Sequence, residues 1–373
     1  MGDLPTLHWT EQGEQRSALW QSEAGAAPPK RVQIADDRMT ADAAYRLASE
    51  GTALLWRGDF HNARQLLQAL ARRCEVRQRK KPATPAEAFH FHRQAQSHRT
   101  RILGTILLPC GENFTIPLRR APDIGQACLE AYGVARGAFV VSLREVQGLI
   151  GAHEWRKKGI EIAALGARIH PHYGVFSPVR GEYLELVAQA RLPSMALAID
   201  VGTGTGVLAA ILAKRGVKRV IATDMGTRAL QCARANIDDL GYAKQVEVVQ
   251  ADLFPSGRAH LIVCNPPWVP ARAHSPLEHA VYDPDSRMLR GFLAGLAAHL
   301  EDQGEGWLIL SDLAEHLGLR TREELTSWIE AAGLKVSGKI DIKPQHPRAS
   351  DRDDPLFAAR SAELTSLWRL AKR

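Results

Sequence analysis

The second half of the chain alternates short apolar runs with segments of helical periodicity. The apolar runs cover residues 196–201, 220–223, 246–249, 261–264 and 307–310. The helical segments cover residues 206–215, 227–240, 286–300 and 321–332. Near-continuous apolar strands that alternate with helices predict a parallel β-sheet with helices on both faces. Two further strand candidates, residues 334–342 and 364–370, have no clear helix between them and predict a terminal hairpin added to that sheet.

The first half has a weaker pattern. Residues 1–38 contain a Pro-Pro breaker and predict a weakly structured N-terminal segment. Beyond them, apolar residues recur mainly at helical spacing, and residues 39–165 predict an α-rich accessory domain that would recognise the substrate. The alternating half, residues 166–373, predicts a second, α/β domain. A length of 373 residues accommodates this division into two domains.

Composition indicates where in the cell the protein would act and whether it would bind a metal. No run of about 18 or more apolar residues is present, and the N-terminus lacks the basic and apolar regions of a signal peptide. The five cysteines are scattered and never spaced as CxxC, which argues against a disulfide framework or a zinc site. His170 and His172 flank a proline but have no cysteine or carboxylate at ligand spacing, so no metal is expected. These features predict a cytoplasmic protein without membrane association.

The positive charge is unevenly distributed. The net charge is +7, and residues 57–120 contain 13 Arg or Lys residues against four acidic ones. Such a segment can contact a polyanion, usually a nucleic acid, or it can be the solvated face of a helix. The sequence leaves both interpretations open.

A glycine-rich turn follows the first strand of the α/β half. The stretch from Asp200 to Gly206 reads Asp-Val-Gly-Thr-Gly-Thr-Gly and opens a helix. Glycines at such a turn let the backbone approach a ligand closely. The dinucleotide fingerprint GxGxxG would require glycine at the position of Val207, which disfavours an NAD-dependent oxidoreductase.

Acidic residues follow the next two strands. Asp224 ends the second strand, twenty residues after Gly204, where a carboxylate can bind ribose hydroxyls. Asp252 follows the third strand. Taken singly, each could be a helix cap or a loop acid. Together with the glycine turn, they form an ordered set at the carboxyl ends of three strands.

This set resembles motif I and the following motifs of class I methyltransferases. The resemblance implies a Rossmann-like, seven-stranded domain that binds S-adenosylmethionine (SAM). In that family the first acid, here Asp200, binds the amino acid part of the cofactor, and an acid placed as Asp252 contacts the adenine amine. The cofactor-binding residues expected from the resemblance are Asp200, Gly202, Thr203, Gly204, Gly206, Asp224, Met225, Asp252, Leu253 and Asn265.

The fourth strand runs directly into Asn265-Pro266-Pro267-Trp268. Amide and nucleobase amine nitrogens are poor nucleophiles because their lone pairs are delocalised. The Asn265 side-chain oxygen and the Pro266 carbonyl can accept the two N–H groups of such a nitrogen and stabilise its developing positive charge. The two prolines stiffen the turn, and Trp268 offers a face for stacking. The tetrapeptide resembles the [N/D]PP[F/Y/W] motif of methyltransferases that act on planar nitrogens, and all four residues are candidate catalytic residues.

Three functions remain open. Residues 170–340 resemble the release-factor glutamine methyltransferases, which have Tyr where this chain has Trp268; a translation factor or ribosomal protein would then be the substrate. Gly174-Val-Phe-Ser177 resembles the guanine-N2 ribosomal RNA methyltransferases, for which the basic segment would contact RNA. A non-catalytic SAM- or RNA-binding protein is the third. The longer resemblance favours glutamine. Phe176, Ser177, Arg180 and Trp268 are candidate substrate contacts, and the sequence does not determine the oligomeric state.

Overall fold

The computed structural model describes residues 4–75, 82–178, 181–273, 276–344 and 350–373, with the backbone alone for residues 276 and 277. The chain divides into two compact units. The N-terminal unit comprises Met1–Pro82 and His90–Glu154, and the C-terminal unit comprises Ala83–Phe89 and Trp155–Arg373.

The first 158 residues contain six strands and five helices within their described parts. These are β1 (Thr6–Glu11), β2 (Glu14–Gln21), β3 (Arg31–Ala35), α1 (Ala41–Ser49), β4 (Thr52–Trp56), α2 (Phe60–Arg73), α3 (Pro85–Leu103), β5 (Ile106–Cys110), α4 (Gly125–Tyr132), β6 (Phe139–Ser142) and α5 (Leu143–Lys158). The strands form one sheet in the order β1-β2-β6-β5-β4-β3. Strands β3, β4 and β5 are parallel, whereas β6 is antiparallel to β5. Helices predicted in this half are present, but the six-stranded sheet makes the unit α/β.

The segment predicted to be weakly structured instead contributes three strands to this sheet. Strands β1 and β2 form a hairpin whose loop residues, Gln12 and Gly13, both have positive φ, as a type I′ turn requires. Leu7 and Trp20 are buried, and the Trp20 indole donates to the carbonyl of Ala26 at 2.7 Å. Most other residues of β1 and β2 remain exposed or half-buried, so the apolar pattern of a strand is weak in the sequence.

The C-terminal unit contains the predicted alternation. Its elements are β7 (Ile160–Ile162), β8 (Ala167–Ile169), α6 (Glu182–Gln189), β9 (Leu197–Val201), α7 (Val207–Lys214), β10 (Arg219–Asp224), α8 (Thr227–Asp239), β11 (Val246–Gln250), β12 (Ala259–Cys264), α9 (Arg287–His299), β13 (Leu300–Ser311), α10 (Leu313–His316), α11 (Arg322–Ala331), β14 (Leu334–Ile342), α12 (Phe357–Ala362) and β15 (Thr365–Lys372). Short 3₁₀ helices occupy Pro276–Ala280 and Pro284–Ser286.

Seven of these strands form the large sheet, in the order β11-β10-β9-β12-β13-β15-β14. The first five strands in that order are parallel, and β15 is antiparallel to both of its neighbours. The seven-stranded Rossmann-like fold and its terminal hairpin are thus confirmed. The short helix α12 lies between the two hairpin strands, where no helix was predicted. The strand order reverses between β9 and β12, which is where open α/β sheets bind their ligands.

Successive residues of the central strands pack into opposite faces of the sheet. Ala198 and Val263 belong to one apolar cluster, and Ile199 and Ile262 belong to the other. Both faces are covered, so the central strands are apolar at nearly every position. The unit also begins earlier than residue 166, because Ile162 of β7 joins the first cluster.

None of the helices in the described parts of the chain combines the length and the apolar character that a membrane crossing requires.

Helix α11 begins with a capping box that offers a test of local stability. The Thr321 hydroxyl accepts from the Glu324 backbone N–H, and the Glu324 carboxylate accepts from the Thr321 N–H. Thr321→Ala removes the first of these bonds and is expected to destabilise the helix by about 1 kcal/mol. Amide protection in α11, measured by hydrogen exchange, is then expected to fall about fivefold. Glu324→Gln keeps the box and serves as the control; equal protection in all three proteins would contradict the role of the box.

Candidate active site

The glycine turn and the Asn-Pro-Pro-Trp motif leave the sheet side by side. Strands β9 and β12 are parallel neighbours, with Val201 opposite Cys264. The next residues along the two strands are Gly202 and Asn265, so the two motifs begin at adjacent positions on the carboxyl edge. The sheet thus brings together two groups of residues that lie about 60 positions apart in the sequence.

The glycine turn adopts a backbone that side chains disfavour. Gly202, Gly204 and Gly206 all have positive φ. At Gly206, where φ is +80°, an added Cβ would lie 3.2 Å from the Cα of Ala233 on α8. Glycine is therefore required at Gly206 both for its conformation and for the close approach of α8.

Asp200 is a buried carboxylate at the base of this turn. Its Oδ2 accepts from the Thr203 hydroxyl at 2.6 Å and from the Ala209 N–H at 3.1 Å. Burial raises the pKa of Asp200 to about 6, against the opposing effect of those two bonds. Its Oδ1 is buried without a hydrogen-bond partner among the described residues. An unpaired buried acceptor suits a cationic amine, which the amino acid part of SAM would supply.

Asp224 connects the end of β10 to the same turn. Its Oδ2 accepts from the Gly204 N–H at 3.1 Å, and its Oδ1 accepts from the Gly226 N–H at 2.8 Å. Each oxygen keeps a second lone pair that could accept from a ligand hydroxyl. Met225 follows and is 55% exposed, beside the carboxylate expected to bind ribose.

Asp252 lies beyond β11, as expected, but its carboxylate has an ion-pair partner. Arg287 at the start of α9 approaches Asp252 Oδ2 at 3.1 Å, and both side chains are more than half exposed. Leu253 has a positive φ of 72°, and its carbonyl accepts from the Thr223 hydroxyl at 2.6 Å. Arg287 has no signal in the sequence that would have singled it out.

At the end of β12, the Asn265 side chain accepts a hydrogen bond from a residue of its own motif. The Trp268 indole N–H donates to Asn265 Oδ1 at 2.9 Å. Tyr183, a buried residue of α6, lies beside the Asn265 side chain. Pro266 is buried, whereas Asn265 and Pro267 are partly buried. No motif indicated Tyr183, because α6 precedes the first strand of the sheet by several residues.

Among the residues that it describes, the structure does not bring the other predicted substrate contacts into hydrogen-bonding contact with this site. Phe176 and Ser177 are partly buried ahead of α6, and within the described parts of the chain no hydrogen bond joins them to Asn265 or to the glycine turn. Arg180 lies outside the described residues. Asp283, which sequence reasoning missed, is buried and caps α9 by accepting from the N–H groups of Met288 and Leu289.

The carboxylate of Asp224 can be tested by cofactor binding. Asp224→Ala removes the acceptors expected to bind ribose hydroxyls and is expected to weaken SAM binding about tenfold, measured by calorimetric titration. Asp239→Ala, an exposed acid at the end of α8, is the matched control and should bind SAM as the wild type does. Equal affinity in both variants would mean that Asp224 does not contact the cofactor.

The raised pKa of Asp200 predicts pH-dependent cofactor binding. With a pKa of about 6, the carboxyl group is mostly ionised at pH 7 and mostly protonated at pH 5. A cationic amine binds the ionised form, so SAM affinity is expected to fall about tenfold between pH 7 and pH 5. Asp200→Asn should bind weakly at both pH values and lose this dependence. The same pH profile in Asp200→Asn and the wild type would assign the titration to another group.

Comparison with known proteins identifies the same region. Residues 167–322 match the family model described as Methyltransferase small domain. A release factor glutamine methyltransferase from Cereibacter sphaeroides is 30% identical over 195 residues, which cover 48% of this chain and 65% of that protein. One from Mycolicibacterium smegmatis is 37% identical over 126 residues, covering 32% of this chain and 44% of that protein.

A further relative has a different substrate in its name. A ribosomal protein L11 methyltransferase from Pelotomaculum thermopropionicum is 32% identical over 140 residues, covering 37% of this chain and 43% of that protein. The chain thus spans 65% of the length of the first of these three curated relatives and less than half of the other two. Among solved structures, a methyltransferase from Pyrococcus furiosus is 17% identical with a TM-score of 0.43, covering 60% of this chain and 98% of that one. Residues 167–322 are therefore similar to the Methyltransferase small domain, and the chain resembles the release factor glutamine methyltransferases.

Proposed function

We propose that this protein transfers a methyl group from SAM to the side-chain amide nitrogen of a glutamine in a protein of the translation machinery. The observation that carries the proposal is the placement of Asn265 and Pro266 beside the glycine turn at the carboxyl edge of β9 and β12. A SAM-binding module without catalytic activity would have no need for paired acceptors at this position.

The residues of the motif would act on the acceptor nitrogen. Bound SAM supplies an electrophilic methyl group on its sulfonium. Asn265 Oδ1 and the Pro266 carbonyl accept the two N–H groups of the amide, which aims the lone pair at that methyl group and stabilises positive charge on nitrogen. Pro266 and Pro267 fix the backbone, so the acceptors are in place before the substrate binds. The nitrogen loses a proton after transfer, so no separate general base is required.

The names of the relatives support a protein substrate. Two of them act on release factors and one acts on ribosomal protein L11, so all three modify proteins of translation. Glutamine is favoured because the resemblance to the glutamine enzymes includes the motif region. A cytoplasmic location, where translation takes place, stays a prediction.

Guanine-N2 methylation of ribosomal RNA is the second candidate, and exposed arginines of the N-terminal unit favour it. The side chains of Arg119 and Arg120 are 76% and 56% exposed, and both donate through Nε to the buried Asp59. Other arginines of the basic segment 57–120 also pair with acids, namely Arg57 with Glu11, Arg73 with Asp42 and Arg99 with Glu75. This pairing reduces the charge available for phosphates. Residues 76–81 of the segment lie outside the described residues.

A labelling experiment separates the two substrates. The purified protein is incubated with methyl-tritiated SAM and a lysate from cells that lack it, and parallel samples are treated with ribonuclease or protease. Label that survives ribonuclease but not protease supports a protein substrate, and acid hydrolysis of the labelled protein should then yield labelled methylamine from the amide. Label lost to ribonuclease would establish RNA as the substrate and contradict the proposal.

Asn265 provides the test of the catalytic site. Asn265→Ala removes one acceptor for the amide N–H and is expected to lower the rate of methyl transfer at least about 100-fold. SAM affinity should stay within about twofold, because the other cofactor contacts remain. Asn265→Asp keeps an acceptor oxygen and should retain more activity than Asn265→Ala. Near-normal turnover by Asn265→Ala, with SAM bound normally, would refute this role.

A further inference from the structure

Trp268 makes a polar contact with Asn265, which lies three residues earlier in the same motif. A tyrosine at this position would offer a ring face and a distant hydroxyl, whereas the indole of Trp268 has an N–H on its ring. In this structure that N–H donates to Asn265 Oδ1 at 2.9 Å. An indole N–H can only donate, and of the two end groups of the Asn265 carboxamide only Oδ1 can accept, so Oδ1 must be its partner. With the Asn265 carboxamide turned by 180°, two donors would face one another.

We propose that Trp268 is a positioning residue whose indole N–H clamps the Asn265 carboxamide with Oδ1 directed to the methyl acceptor. This inference rests on the proposed function. A carbonyl oxygen has two lone pairs, so Oδ1 can accept from Trp268 and from the substrate amide at the same time. Asn265 is only partly buried, which leaves the second lone pair of Oδ1 accessible.

The clamp matters because the terminal torsion of asparagine is soft and nearly two-fold. Without partners, the carboxamide would populate the flipped orientation, in which Nδ2 faces the N–H of the substrate. That orientation places donor against donor and cannot stabilise charge on the acceptor nitrogen. The clamp therefore holds the carboxamide in the required orientation before the substrate binds. We expect its loss to lower the turnover rate and to leave SAM binding unchanged.

A kinetic test removes the polar contact and keeps an aromatic side chain. Trp268→Phe is expected to lower kcat for methylation of a purified, unmethylated release factor about three- to tenfold, with KM for SAM unchanged. Trp328→Phe on α11 is the matched control and should retain kcat within about twofold. Retention of wild-type kcat by Trp268→Phe would overturn the proposal.

A spectroscopic test does not depend on activity. The Trp268 indole N–H signal in a ¹H–¹⁵N spectrum is assigned by its loss in Trp268→Phe. In Asn265→Ala this signal should move upfield and exchange faster with water, because its acceptor is gone. An indole signal unchanged in Asn265→Ala would overturn the clamp. If the wild-type protein does not methylate the release factor, the proposed substrate is wrong, and these spectra still decide whether Trp268 holds Asn265.

Discussion

The parallel pairing of β9 with β12 is the constraint on which the candidate site depends. With Val201 opposite Cys264, the residues that follow each strand emerge together at one edge of the sheet. A shift of one residue in this register would turn the side chains of one strand to the opposite face. The apolar clusters on both faces oppose such a shift, because each face buries its own set of side chains, such as Ala198 on one and Ile199 on the other. Packing of the core thereby fixes the distance between the glycine turn and Asn265.

Buried and partly buried acids join the loops of this edge to the sheet. Asp200 bonds to Thr203 within the turn, and Asp224 reaches the turn from the neighbouring strand. Asp283 performs a similar task for α9, whose residue Met288 lies against Gly202. Each of these carboxylates satisfies backbone N–H groups that would otherwise be unpaired. The loops that carry the expected ligand contacts are therefore held by polar bonds rather than by apolar packing alone.

Much of the C-terminal unit could be predicted, because buried strands and their helices leave a strong periodic pattern. The N-terminal unit could not be predicted as well. Its first two strands bury few residues, with Leu7 and Trp20 the principal ones. Residues 1–38 therefore resemble a polar loop in sequence, although three strands of the sheet lie within them. The charge pattern of the sequence was also an incomplete guide to polyanion binding. The sequence gives the number of arginines, such as Arg57 and Arg119, but the structure pairs them with acids that are distant in sequence.

The sequence by itself determined the alternating fold, the glycine turn and the chemistry of the Asn-Pro-Pro-Trp motif, because these depend on local spacing and residue type. Tertiary structure alone decided which groups surround them. Tyr183 reaches Asn265 from a helix that precedes the first strand of the sheet, and Arg287 reaches Asp252 from the start of α9. The orientation of the Asn265 carboxamide was also undetermined, since it depends on a hydrogen bond from the Trp268 indole. Contacts of this kind arise from packing between separate elements, and no local pattern in the chain records them.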